Sequence, residues 1–167
     1  MGNPRRQSQG QGPMFTLVHV VISVLSLLTG LVVVGGLIGG SRRAGMTGAF
    51  LLTTVLTNVT AFGFPITTVL PSHVVAAISL VLLVICLAAL YAKRLQGAWR
   101  RIFVITAVAA LYFNVFVLVV QLFAKTPQLA ALAPTQSEPP FALTQLLVLG
   151  VFVWFGRASL RGFSAAR

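Results

Sequence analysis

The chain has 167 residues, of which 57% are hydrophobic and only 8% charged, with a mean hydropathy of +0.98; a typical soluble domain is roughly 45–50% apolar and about 25% charged, so a water-soluble core is excluded. Twelve Lys and Arg face a single acidic residue, for a net charge of +11. The basic residues cluster at the ends of apolar runs, the positive-inside pattern of membrane proteins, which argues against a nucleic-acid partner and for the lipid bilayer as the first partner of this chain.

In chain order, residues 1–14 are polar and rich in Gly and Gln, with too little apolar surface to order themselves, and read as a disordered tail. The apolar run 15–39 is longer than a signal-peptide core and lacks a small-x-small cleavage site, so it is expected to stay as a membrane anchor. It closes on "GGLIGG", two overlapping GxxxG pairs, Gly35/Gly39 and Gly36/Gly40, with Ser26 and Gly30 in the preceding turns. Close backbone approach at such pairs drives helix association in lipid. A packing face within the monomer is expected, with a homo-oligomer contact as the alternative.

Segment 46–70 is long enough to span but carries seven Thr, Asn58, two Gly and Pro65. Thr53, Thr57 and Thr60 recur at helical spacing beside Thr54, Asn58, Ala61, Pro65 and Thr68, making one broad face polar. Pro65 removes an amide and is expected to kink the helix near Asn58. The face reads either as stitching to neighbouring helices or as a hydrophilic lining for a solute.

The run 72–92 contains the only cysteine, Cys86, mid-way along, where a small buried hydrophobe is the plain expectation. Tyr91 and Trp99 flank the basic loop "KRLQGAWRR" at headgroup depth. In 102–123, Asn114 and Gln121 share a stripe with Ala107, Ala110 and Val117, a face expected to hydrogen-bond another helix. A patternless loop, 124–140, then leads to the last run, 141–160, and a short basic tail, 163–167. Arg157 lies near the end of that run, where it can snorkel to the interface.

The fold class expected is therefore all-α, a polytopic transmembrane bundle over 15–162. An α-helix needs about 20 apolar residues to cross the hydrocarbon, and four runs qualify without 46–70. Charge counting does not choose between five spans and four, because both divide the twelve basic residues nine to three. Thr hydroxyls that bond back to the preceding turn make 46–70 tolerable as a helix, and five spans are favoured. The N-terminus then faces the periplasm or lumen and the C-terminus the cytoplasm.

The lone carboxylate, Glu138, lies in "APTQSEPPF". With Ser137 as N-cap, Glu138, Pro139 and Pro140 would fill the first helical turn, where missing amides cost nothing and a carboxylate meets the positive helix end; Pro140 as first residue is the alternative. With five spans His19, His73 and Glu138 share one side. Their scatter follows no metal-ligand spacing, so no metal and no cofactor is expected there, and a hydrogen-bonded lid formed by 124–140 is the better reading.

The stretches "LYFNVFVLVVQLF" and "ALAPTQSEPPF", with "FGFP" earlier, resemble those of a group of small multi-pass bacterial inner-membrane proteins with no assigned activity, over roughly residues 46 to 162. The resemblance implies a bacterial inner membrane and carries over no functional residue. No nucleophile triad, HExxH or paired carboxylate is present, so an enzyme is not expected. Two functions remain: an accessory, assembly or scaffold protein acting through a membrane protein partner, or a small transporter or channel using the Thr/Asn face.

Overall fold

The computed structural model describes residues 12–63 and 71–165, the side chains of 71–73 and 164–165 excepted. It is an all-α bundle: α1 (Pro13–Ile38), α2 (Ala44–Ala61), α3 (Pro71–Leu87), continued by a π-helical turn (Ala88–Ala92), α4 (Trp99–Lys125), the short α5 (Pro127–Leu132) and α6 (Pro139–Ala165). Five of these helices are long and apolar enough to cross a membrane.

The contested second segment is one of the five, and it is the least apolar. At 18 residues α2 is about 27 Å long, close to the roughly 30 Å of hydrocarbon. Four of its five threonines bond back into their own helix. The hydroxyls of Thr47, Thr53, Thr54 and Thr60 donate to the carbonyls of Arg43, Ala49, Phe50 and Leu56, one turn back, at 2.7–3.0 Å. Hydropathy thus overstates the cost of inserting this helix. It ends at Ala61, with Phe62 and Gly63 in a turn, so the helix stops before the proline expected to kink it. Pro65 itself lies outside the described residues, as does the proposed tail over residues 1–11, whereas Pro13 and Met14 already belong to α1. Likewise 163–165 continue α6 rather than forming a tail.

Successive spans are antiparallel. One end of the bundle joins Ile38, Arg43, the 93–98 loop and the end of α6; there Arg100 stacks over the Phe163 ring at 4.1 Å. Eight basic residues, Arg42, Arg43, Lys93, Arg94, Arg100, Arg101, Arg157 and Arg161, collect toward this basic end. At the opposite end His19 meets Thr60, and Phe123 packs edge-on against Phe141 with centroids 5.3 Å apart. The helices α1, α2, α3, α4 and α6 form a ring in that order, and α1 and α4 also touch across it. The core is built around α4, whose Phe103, Val104, Ala107, Ala110 and Leu111 are buried against Leu37, Phe50, Leu83 and Cys86. Cys86 is fully buried there, as a small apolar side chain would be.

The "GGLIGG" glycines do not pack helix against helix. A Cβ on Gly35 would meet nothing within 4 Å, and one on Gly39 only its own helix. Gly40 takes φ 77°, while the amides of Ser41 and Gly40 bond the carbonyls of Gly36 (2.8 Å) and Leu37 (3.1 Å). This is a Schellman end, which needs a left-handed residue after the helix, and Gly36 leaves room for the returning loop at Ser41. Close helix contact occurs instead at Gly30, against Phe50 and Leu111, and at Gly162, against the carbonyl of Ile38.

The 124–140 segment is not patternless. It contains α5 and clasps α4 to α6 through Val119, Phe123, Ala133 and Phe141, with Gln136 Nε2 donating to the Val120 carbonyl at 3.1 Å. Glu138, not Ser137, is the residue before the helix, and its carbonyl accepts the amides of Phe141 and Ala142 at 3.1 and 3.2 Å. Its carboxylate turns back over the loop, accepting from the amide and hydroxyl of Thr135 (3.2 and 2.9 Å) and the amide of Ser137 (3.0 Å). Desolvation pushes this carboxyl upward. The hydrogen bonds from its own backbone, from Thr135 and from Ser137 outweigh that and hold it below the usual glutamate range.

A lowered folded-state pKa stabilises the loop above the unfolded value and loses that contribution as pH falls through the folded one. The protection of the amides of residues 133–138, measured as exchange relative to the intrinsic rate at each pH, should therefore fall on acidification below the ordinary glutamate range. Glu138→Gln should show low protection already at neutral pH, with little further change in the protection factor on acidification. Equal exchange in the two proteins at pH 7 would exclude the carboxylate as the organiser of the loop.

Candidate membrane-embedded binding cavity

Three helices meet through one chain of polar side chains. Asn114 Nδ2 on α4 donates to Ser26 Oγ on α1 at 2.8 Å, and Ser26 Oγ lies 2.6 Å from Thr54 Oγ1 on α2. Thr54 spends its own proton on the Phe50 carbonyl at 2.7 Å, so Ser26 must donate to Thr54. The order Asn114, Ser26, Thr54, Phe50 carbonyl leaves each hydroxyl both donating and accepting, the arrangement in which hydrogen bonds strengthen one another in a low dielectric. Ser26 and Thr54 are fully buried.

From this node α1 and α4 diverge toward the end opposite the basic one and enclose a cavity of about 510 Å³. Asn58 and Ala61 of α2 and Val75 and Ala76 of α3 also line it. On the other side of the node, Gly30, Phe50 and Leu111 close the interior toward the basic end. Two polar stripes face each other. On α1 they are Thr16, His19 and Ser23; on α4, Asn114, Gln121 and Lys125. Apart from Asn58 and Thr126, the rest of the described lining is apolar, including Val20 and Val24 on α1 and Leu118 and Leu122 on α4. These four are themselves 41–47% exposed, so the cavity opens sideways between the two helices.

Each polar group has a defined setting. His19 Nδ1 is 2.7 Å from Thr60 Oγ1, and Ser23 donates to the His19 carbonyl at 2.7 Å, so the α1 stripe is tied back to the helices that carry it. Asn58 Nδ2 bonds the Thr54 carbonyl at 2.8 Å, leaving its carboxamide oxygen at the wall. Gln121 and Lys125 are exposed at the mouth, where Lys125 lies within electrostatic reach of His19.

Of the polar face expected on α2, Thr54 and Asn58 are buried in the bundle. Thr53 is satisfied within its own helix. Thr57 keeps a buried hydroxyl without a partner among the described residues. Asn114 and Gln121 do share one face, but only Asn114 bonds another helix. Of His19, His73 and Glu138, His19 bonds Thr60 on α2 and Glu138 turns to its own loop, while the His73 side chain lies outside the described residues. Among the described residues no group of three His, Cys, Asp or Glu could hold a metal ion.

Sequence reasoning missed the α1 stripe. Its signal was legible as Thr16, His19, Ser23 and Ser26 at helical spacing in an otherwise apolar run, and Lys125 continues the spacing of Asn114 and Gln121. Comparison of the chain with family models, curated proteins and solved structures finds no match.

Proposed function

We propose that the protein is a non-enzymatic membrane protein of a bacterial inner membrane, with its basic end in the cytoplasm, that binds a small amphipathic molecule between α1 and α4. The observation that carries this is the laterally open cavity, apolar in its walls and polar along two facing stripes. Its volume lies within the roughly 300–1,000 Å³ of small-molecule sites. Closure of the interior around Gly30, Phe50 and Leu111 favours binding over conduction. The clustering of basic residues at one end supports the orientation.

The test uses protein in non-ionic detergent and an uncharged, environment-sensitive alkyl dye. Val20→Trp with Leu118→Trp fills the opening from two exposed lips and leaves the buried core untouched. Binding should weaken at least about ten-fold, which corresponds to about 1.4 kcal/mol. Unchanged dye affinity in this variant would remove the cavity as the binding site.

A second reading, an accessory or scaffold protein with a membrane protein partner, is favoured by the clasp. Helix α5 buries no residue, and Leu132 stands 57% exposed outside the spans. A stoichiometric partner that co-purifies in mild detergent and is lost on Leu132→Glu would establish it. Purification as a lone species would count against it.

A further inference from the structure

We infer that the bound molecule is a lipid anion, a single alkyl chain with a carboxylate or phosphate headgroup held by Lys125 at the cavity mouth. This deepens the proposed binding function and rests on it. Lys125 is the only charged residue among the described residues that line the cavity. The chain offers it no counter-charge: Glu138 is the sole acidic residue, its carboxylate is occupied by Thr135 and Ser137, and no ion pair occurs among the described residues. Lys125 is in the last turn of α4, whose carbonyl end carries the equivalent of about half a negative charge at most, so a net positive charge remains at the mouth.

The headgroup position is furnished beyond that charge. Gln121, one turn earlier on the same stripe, has no hydrogen bond among the described residues and offers two amide donors to an oxyanion. Behind them the walls are Val117, Leu118 and Leu122 on α4 and Val20, Val24 and Leu27 on α1, apolar surface suited to an alkyl chain. The lateral opening lets that chain enter from the bilayer while the headgroup stays at the end of α4, near the interface. The dimensions suit one chain and a compact headgroup. A soluble anion would use the mouth and leave the walls empty, and a neutral lipid would leave Lys125 uncompensated.

Binding is measured on the purified full chain in non-ionic detergent, by displacement of the uncharged dye. The competitors are hexadecanoate, hexadecyl phosphate, hexadecanol, hexadecyltrimethylammonium and inorganic phosphate. The expected order puts at least one of the two anionic amphiphiles ten-fold or more below hexadecanol in Kd, with the cation and inorganic phosphate weakest; which anion binds tighter identifies the headgroup. Lys125→Gln should bring anion and alcohol within about two-fold of each other, and Lys125→Arg should restore most of the gap. Unchanged elution volume and thermal transition establish that the variants are folded.

Equal affinity of the wild-type chain for alcohol and anions overturns the charge assignment and leaves the cavity function standing. Displacement by inorganic phosphate at the same concentration as by the lipid anions overturns the lipid and points to an ion site. Failure of the dye and every amphiphile to bind overturns the cavity function itself.

Discussion

Replacing Gly162 by alanine should lower the thermal transition of the detergent-solubilised protein by several degrees and loosen the basic end. An added Cβ would strike the carbonyl oxygen of Ile38, with the Ile38 carbonyl carbon and the Leu37 oxygen also within 2.8 Å. All three are backbone atoms, so no rotamer change relieves the overlap and α6 must move away from α1. Overpacking of this kind costs about 1–3 kcal/mol. For a chain of this size each kcal/mol is roughly 2–4 °C in Tm. Gly156→Ala is the control, because its Cβ would meet only Val108, at 4.0 Å, and alanine is the better helix former. A Gly162→Ala protein as stable as Gly156→Ala would show that the two helices are not in register as described.

Ser26→Ala should cost about 2 kcal/mol, far more than its lost hydroxyl suggests. Interhelical hydrogen bonds in a membrane average about 0.6 kcal/mol and reach about 1.7. This substitution removes two, and it leaves the half-buried Asn114 amide without its acceptor, at about 1–3 kcal/mol for an unsatisfied group. Asn114→Leu removes one bond and strands nothing, since Ser26 still donates to Thr54. The double variant should therefore be more stable than the sum of the single losses predicts, by at least about 0.5 kcal/mol. Reversible unfolding in mixed micelles, with all four proteins compared, reads the coupling directly. Additive losses would mean that the three side chains do not act as a chain. Because the node is the floor of the cavity, Ser26→Ala should also weaken dye binding, whereas Gly162→Ala acts at the far end of the bundle.

Helix class and span number were legible because both depend on local composition. Five apolar runs of sufficient length can only satisfy their backbone as helices in lipid, and even the Thr-rich α2 follows from hydroxyls bonding within the same turn. Boundaries were less legible. The α2 helix stops at Ala61 and α4 begins at Trp99, three residues before the apolar run, because interfacial residues can continue a helix that hydropathy does not count. The expectation of a GxxxG packing face within the monomer failed for a related reason. A glycine spaced for packing and a glycine needed at a left-handed helix end look alike in sequence, and Gly40 is the second kind.

The candidate site was half visible. Asn58, Asn114 and Gln121 were marked as polar positions that a membrane helix does not keep cheaply, and His19 was marked without its bond to Thr60 or its place on the α1 stripe. What the sequence by itself determined is every property set within one or two turns of chain: the spans, the positive end, the threonine back-bonds, and the placing of Glu138 beside the start of α6. The tertiary structure alone decided which stripes face each other. Residues 26, 54 and 114 meet only because α1 crosses both α2 and α4 at one level, and the cavity exists because α1 and α4 diverge beyond that crossing. Crossing points in lipid are set by where small side chains and single hydrogen bonds let backbones approach, at Gly30, Gly162 and Ser26, and such sites carry no periodic signal along the chain.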